Sequence, residues 1–136
     1  MKAARAPFGR VARTVAQKCL DEFGRSTAGL RTAVLVSPDG FELAAFRLGE
    51  NDAARMGALG SSLAAMGAAV CREAGLEGFE RLLAETADGS VLVLPVPGVQ
   101  PPMVLAIVAE NTVVLGQLLW SAKGCLAALT RSFRGT

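Results

Sequence analysis

Apolar residues recur along this chain with two periods, and the switch between them marks out helix, two strands, helix, three strands and helix. Phe8, Val11, Val15, Cys19 and Phe23 follow spacings of three and four, with Arg10, Arg13 and Gln17 off the stripe, which predicts a helix over 8–24. Gly24 is its expected stop, since glycine accepts the left-handed conformation that closes a helix. Thr32 to Val36 is β-rich, Ser37-Pro38-Asp39-Gly40 interrupts it, and Phe41 to Phe46 resumes it, so 32–46 is a predicted hairpin. Pro38 presets one corner of that turn and Gly40 can take positive φ after it.

Asn51-Asp52 caps the next helix, 52–74, and Gly75 stops it. Glu77 to Thr86 is a third strand of mixed character, and Asp88-Gly89 signals a hairpin turn. Ser90 to Val96 is a fourth strand, nearly all apolar. Pro97, Gly98, Pro101 and Pro102 break the chain, and Met103 to Ala109 is the fifth strand. Asn111-Thr112 caps a last helix whose buried face holds Leu115, Leu118, Leu119, Ala122, Leu126, Leu129 and Phe133. Trp120 falls on another side, with Gln117 and Gly124. The expected fold is one α/β domain of the α+β kind: a five-stranded, mostly antiparallel sheet flanked by helices, in the order α-β-β-α-β-β-β-α.

Helix 52–74 is the most informative segment. Met56, Leu59, Leu63, Met66 and Val70 make a seam with 3-4-3-4 spacing, and Gly57, Gly60, Ala64, Gly67 and Cys71 make a neighbouring small face. No charge falls between Arg55 and Arg72. An outer helix of a small domain shows a polar stripe to water; this one offers only serines and small residues. It is expected to be covered on two sides, by its own sheet and by something else. Each interior glycine costs roughly 1 kcal/mol against alanine, a cost understood most simply if the glycines admit a second helix. A helix buried in one monomer, or a bare alanine-rich surface, is the plainer alternative.

Composition narrows the chemistry. With 136 residues, 51% of them hydrophobic and few aromatic, the chain is long enough for a core of its own and too apolar for disorder. There is no histidine and no tyrosine, which removes Ser-His-Asp and Cys-His pairs, imidazole metal ligands and the commonest general base near neutral pH. No CxxC, calcium-loop ladder, phosphate-cradling loop or dinucleotide fingerprint occurs. The expectation is a protein without catalytic, metal or cofactor-binding residues. Cys19, Cys71 and Cys125 are odd in number and widely spaced, as free thiols of a reducing cytoplasm are. No segment has the strongly apolar run of about 20 residues that a membrane span needs, so no membrane insertion is expected. The first 31 residues carry Lys2, Arg5, Arg10, Arg13, Lys18, Arg25 and Arg31 against Asp21 and Glu22. A basic arm over 1–10 suits a membrane surface, nucleic acid or an acidic partner, although a solvated helix face is the simpler use. No aromatic residues interleave with the basic ones as in single-strand binders, so nucleic acid is not expected.

Specific strings then point to a family. Ala33-Val34-Leu35-Val36-Ser37-Pro38-Asp39-Gly40-Phe41-Glu42-Leu43-Ala44, the small-residue helix 53–71, Asp88-Gly89-Ser90-Val91-Leu92-Val93-Leu94-Pro95-Val96, and Leu105-Ala106-Ile107-Val108-Ala109 running into Asn111 occur in this order. Together, across about 8–132, they resemble the Roadblock family, the dynein light-chain relatives found also in bacteria and archaea. The basic, proline-containing start is a departure that the family does not require.

The resemblance implies a homodimer whose sheets join edge to edge through the third strand while the second helices pack together. It also implies a scaffold or regulator of a small Ras-like GTPase. The expected dimer interface is Met56, Leu59, Gly60, Leu63, Met66, Gly67 and Val70 with Leu82 and Leu83; the expected partner platform is Ala54, Arg55, Ala58, Ser61, Ala65 and Arg72. Two other uses stay open: a purely structural dimerisation module of a signalling or motility complex, and a profilin-like ligand sensor related to PAS and GAF domains. The sensor needs convergent polar groups between sheet and helix, which strands 91–96 and 103–109 hardly offer.

Overall fold

The computed structural model describes residues 9–134; Phe8 and most of the basic arm lie outside them. The elements are α1 (Arg10–Ser26), β1 (Leu30–Val36), β2 (Glu42–Phe46), α2 (Glu50–Glu73), β3 (Leu82–Glu85), β4 (Gly89–Pro95), β5 (Val104–Glu110) and α3 (Leu115–Arg134). The strands form one antiparallel sheet in the order β2-β1-β5-β4-β3. Alternate side chains of a strand point to opposite faces, and here both faces are covered. Ala33, Leu35, Leu105 and Ile107 meet Leu20, Leu118 and Leu129 in a core under α1 and α3, while Val34, Val36, Val104 and Ala106 meet Ala53 and Ala64 under α2. Having both faces covered makes the central strands continuous apolar runs.

Several local expectations hold for their stated reasons. Gly40 has φ +91° and donates its N–H to the Ser37 carbonyl at 2.9 Å, closing the β1–β2 turn. Gly75, at φ +78°, ends α2: its N–H reaches the Arg72 carbonyl at 3.0 Å and that of Leu76 reaches Cys71 at 2.8 Å, a Schellman closure.

Other local expectations are overturned by packing. Gly24 lies inside α1, not at its end; a β-carbon there would collide with the Phe46 ring. Asn51-Asp52 does not cap α2, which starts from Gly49 without a side-chain cap. Asn111 does not cap α3 either; its side-chain amide donates to the Ala87 carbonyl at 2.8 Å and pins the β3–β4 turn. In that turn the Thr86 hydroxyl accepts from the N–H groups of Asp88 and Gly89. Gly89 itself is already in β4, at a point where a β-carbon would strike the Ala109 carbonyl. Leu115, expected inside, is exposed at the first turn of α3. The third strand is four residues long, not ten, because Phe79 turns under α2 and draws 76–81 away from the sheet.

Candidate interaction surface

α2 lies across all five strands, held there by its smallest residues. Ala53, Gly57, Gly60 and Ala64 are its buried positions. An added β-carbon on Gly57 would collide with the Val36 side chain, one on Gly60 would sit 3.1 Å from the Ala106 methyl, and one on Gly67 would sit 2.7 Å from the Phe79 ring. The glycines therefore bring the helix close to its own sheet. Gly60 and Gly67, expected in a helix–helix interface, face Ala106 and Phe79 within the protomer.

With small residues turned inward, the large ones have nowhere to go but outward. Leu59, Met66 and Val70 are 61%, 59% and 67% exposed. Met56 and Leu63 are half-buried on the flank beside them, where they pack against the α2-side core. By length and composition α2 alone among the described helices is apolar enough to cross a membrane, which the hydrophobic pattern did not lead us to expect. Its stacking on the sheet gives that apolarity a different use.

The sheet ends unequally. At β2, Arg13 donates to the Glu42 carbonyl at 3.1 Å, and Gln17 both donates to the Ala45 carbonyl at 2.6 Å and accepts from the Ala45 N–H at 3.1 Å. That edge is closed by side chains of α1, as soluble sheets close exposed edges. At β3, among the described residues, no side chain hydrogen-bonds to the backbone of Leu82–Glu85. Leu82 packs on the α2-side core and Leu83 on the core beneath α1 and α3. Thr86 donates its N–H to the Gly89 carbonyl. By the alternation of an antiparallel ladder, Leu82 and Ala84 therefore bond inward to β4, while Leu83 and Glu85 turn their backbone groups to the open side.

The expected platform residues do not all fall together. The 3.6-residue period puts Ala54, Ala58, Ser61, Ala65 and Arg72 on one flank of α2, with Ser61 half-buried and the others exposed. Arg55 instead sits on the outer crest, in an ion pair with Asp52. Beside this flank lies a groove of about 720 Å³, lined among others by Ser61, Ala65, Phe79, Pro95, Leu119 and Lys123. It opens where β3 stops short of the end of β4, and Phe79, Glu80 and Arg81 of the departing segment form part of its wall. Leu94 and Val104 of the sheet and Ala64 of α2 line it as well.

Among the described residues no three metal-binding side chains converge. The three cysteines are free. Burial pushes the Cys125 thiol up to about 12, and desolvation raises that of Cys19 as well. Both thiols are therefore held in the neutral form at ordinary pH.

The profile of the Roadblock/LC7 domain family matches residues 16–109. Among solved structures, the chain superposes on MglB of Myxococcus xanthus with a TM-score of 0.79 at 20% identity, covering 90% of either chain. It superposes on a Roadblock/LC7 domain of Streptomyces avermitilis with 0.80 at 19% identity, covering 88% of this chain and 98% of that one. A gliding protein MglB of Thermus thermophilus gives 0.77 at 23%, covering 91% of this chain and 92% of that one. No curated protein sequence matches. At these identities the structural likeness establishes the fold.

Proposed function

The chain belongs to the Roadblock/LC7 family, and from that premise we propose that it is a non-enzymatic homodimeric adaptor that binds a small Ras-like GTPase. The observation that carries the proposal is the outward apolar crest of α2, uncharged from Arg55 to Arg72 and beside an open strand edge. A second copy would cover both at once: Leu59, Met66 and Val70 against their mates, and the outward backbone groups of Leu83 and Glu85 in a continuous intermolecular sheet. The opposite flank, with Ala54, Ala58 and Ala65, lets a partner backbone approach closely, and Arg72 at its end would attract acidic partner surfaces.

Two measurements test this. Light scattering should show a dimer at micromolar concentration, and Met66→Arg should give a folded monomer, because Met66 makes no part of the protomer core while a charge there meets an apolar mate. A wild type that is monomeric sinks the dimer. A small Ras-like GTPase, loaded with GDP or with a GTP analogue, is then titrated against it. Binding in one nucleotide state, weakened by Ala58→Arg, supports the adaptor; no binding in either state leaves a dimerisation scaffold instead.

A further inference from the structure

The layer on the other side of the sheet carries a second surface, chemically opposite to the first. α1 and α3 lie side by side over the sheet. Their outward crests hold Val11, Lys18 and Arg25 on α1, and Trp120, Lys123 and Arg131 on α3, all exposed. The two helices contain Arg10, Arg13, Lys18, Arg25, Lys123, Arg131 and Arg134 against only Asp21 and Glu22. Asp21 is half-buried and accepts a hydrogen bond from Gln17 at 2.9 Å, while the exposed Glu22 shares the α1 crest with Lys18 and Arg25. Across the sheet, residues 50–88 reverse the balance, with Glu50, Asp52, Glu73, Glu77, Glu80, Glu85 and Asp88 against Arg55, Arg72 and Arg81. The ion pairs among the described residues, Arg31–Glu110, Arg55–Asp52 and Arg81–Glu80, all lie outside α1 and α3.

Trp120 stands on this basic layer 79% exposed. It is the chain's one tryptophan. Gly116 and Gly124, one turn before and after it, would each find no atom within 4 Å of an added β-carbon. Among the described residues the crest is therefore open before and after the indole, and the groove on the α2 side begins at its neighbours Leu119 and Lys123.

We propose that the α1/α3 layer docks on an anionic lipid surface. Trp120 would enter the headgroup boundary, and Lys18, Arg25, Lys123 and Arg131 would face the lipid phosphates and carboxylates. An indole with an apolar body and one N–H donor partitions to that boundary, and basic side chains near the negative surface add to the attraction. A protein partner recognises an aromatic anchor through packed complementarity around it; a lone indole on an open, basic crest suits a deformable surface instead. The proposal goes beyond the adaptor reading and does not depend on it: Trp120, Lys18, Arg25 and Arg131 stand on the layer opposite α2, and only Lys123 also borders the groove beside the α2 flank.

Because the chain has no other tryptophan and no tyrosine, its intrinsic emission reports on Trp120 directly. The full chain is mixed with phosphatidylcholine vesicles, and with vesicles containing about 30% phosphatidylserine. Only the anionic vesicles should shift the emission to the blue and shield it from an aqueous quencher, and raising salt from about 0.05 to about 0.5 M should reverse the effect. Replacing Lys123→Glu together with Arg131→Glu should cut partitioning at least roughly 25-fold, at about fivefold for each basic residue. Trp120→Ala should weaken vesicle sedimentation while leaving the circular dichroism unchanged. An unshifted emission with anionic vesicles, or an equal shift with neutral ones, overturns the proposal. A shift produced by polyglutamate but not by vesicles overturns it in favour of an acidic macromolecule.

Discussion

The two faces of one sheet are finished in opposite ways. Beneath α1 and α3, large side chains such as Leu20, Leu118 and Leu129 are fully buried, and the outer crests are basic, with Val11 and Trp120 exposed among the charges. Beneath α2, the contact is made by Ala53, Gly57, Gly60 and Ala64, and the large side chains stand outside. An amphipathic helix ordinarily turns its bulk toward the core. α2 turns its bulk away, which leaves the protomer complete on one side and with an uncovered apolar crest on the other.

The contrast can be broken by mutation. The largest effect is expected in the completed layer: Leu129→Ala should lower unfolding free energy by about 2–5 kcal/mol through lost burial and an unfilled cavity. Met66→Ala, a comparable truncation on α2, should change the monomer by less than about 0.5 kcal/mol, as surface substitutions do. Urea titrations at low protein concentration check the pair. Comparable losses for the two would show that Met66 is not spare to the protomer.

Glycine substitutions sharpen the same point with opposite signs. Gly57→Ala gains helix propensity but drives a methyl group into Val36, so a net loss of about 1–3 kcal/mol is expected from overpacking. Gly124→Ala, on the open crest of α3, should raise stability by up to about 1 kcal/mol. If both variants rise together in thermal unfolding, α2 is not seated closely on the sheet.

The edges of the sheet offer a third comparison. Leu83→Pro removes an N–H that points to the open side of β3 and should weaken dimerisation while leaving the β3–β4 ladder in place. Leu82→Pro removes an inward bond and should destabilise the protomer itself. Equilibrium sedimentation alongside circular dichroism separates the two; a dimer undiminished by Leu83→Pro would place the paired edge elsewhere.

A smaller effect belongs to pH. Cys125 has a thiol pKa raised by burial from 9.0 to about 12, so the unfolded chain releases this proton first as pH rises. Its contribution is fully present below pH 9 and is lost progressively between about 9 and 12. Cys125→Ala should flatten that alkaline decline in denaturant midpoints; an unchanged slope would mean that the thiol is not held neutral by the core.

How far the candidate surface was legible in the sequence depends on the kind of signal. The absence of charge between Arg55 and Arg72 belongs to composition, and it pointed to α2 before any contact was known. Which flank of α2 met the sheet was not legible, because its large and small faces are both apolar and periodicity cannot rank them. The large seam is a natural interface, but so is the small one, and within the protomer Gly60 and Gly67 face Ala106 and Phe79. Arg55 is expected to flank Ala54 and Ala58 as a steering charge, and one residue rotates the helix by about 100°, which carries Arg55 to the crest.

The sequence by itself determined the element order, the sheet's composition and the missing chemistry. Period-2 and period-3.6 patterns, the Pro38–Gly40 turn and the stop at Gly75 are local, and a chain without histidine carries that exclusion at every level of structure. Only the tertiary structure decided how α2 sits, where β3 ends and what several small residues are for. Gly24 and Gly89 look like helix and turn signals, yet each marks a place where Phe46 or the Ala109 carbonyl comes too near for a methyl group. Asn111 looks like a cap and instead ties down the Ala87 turn. These roles are set by neighbours distant along the chain, and close packing, unlike hydrophobic periodicity, leaves no mark on the segment that experiences it.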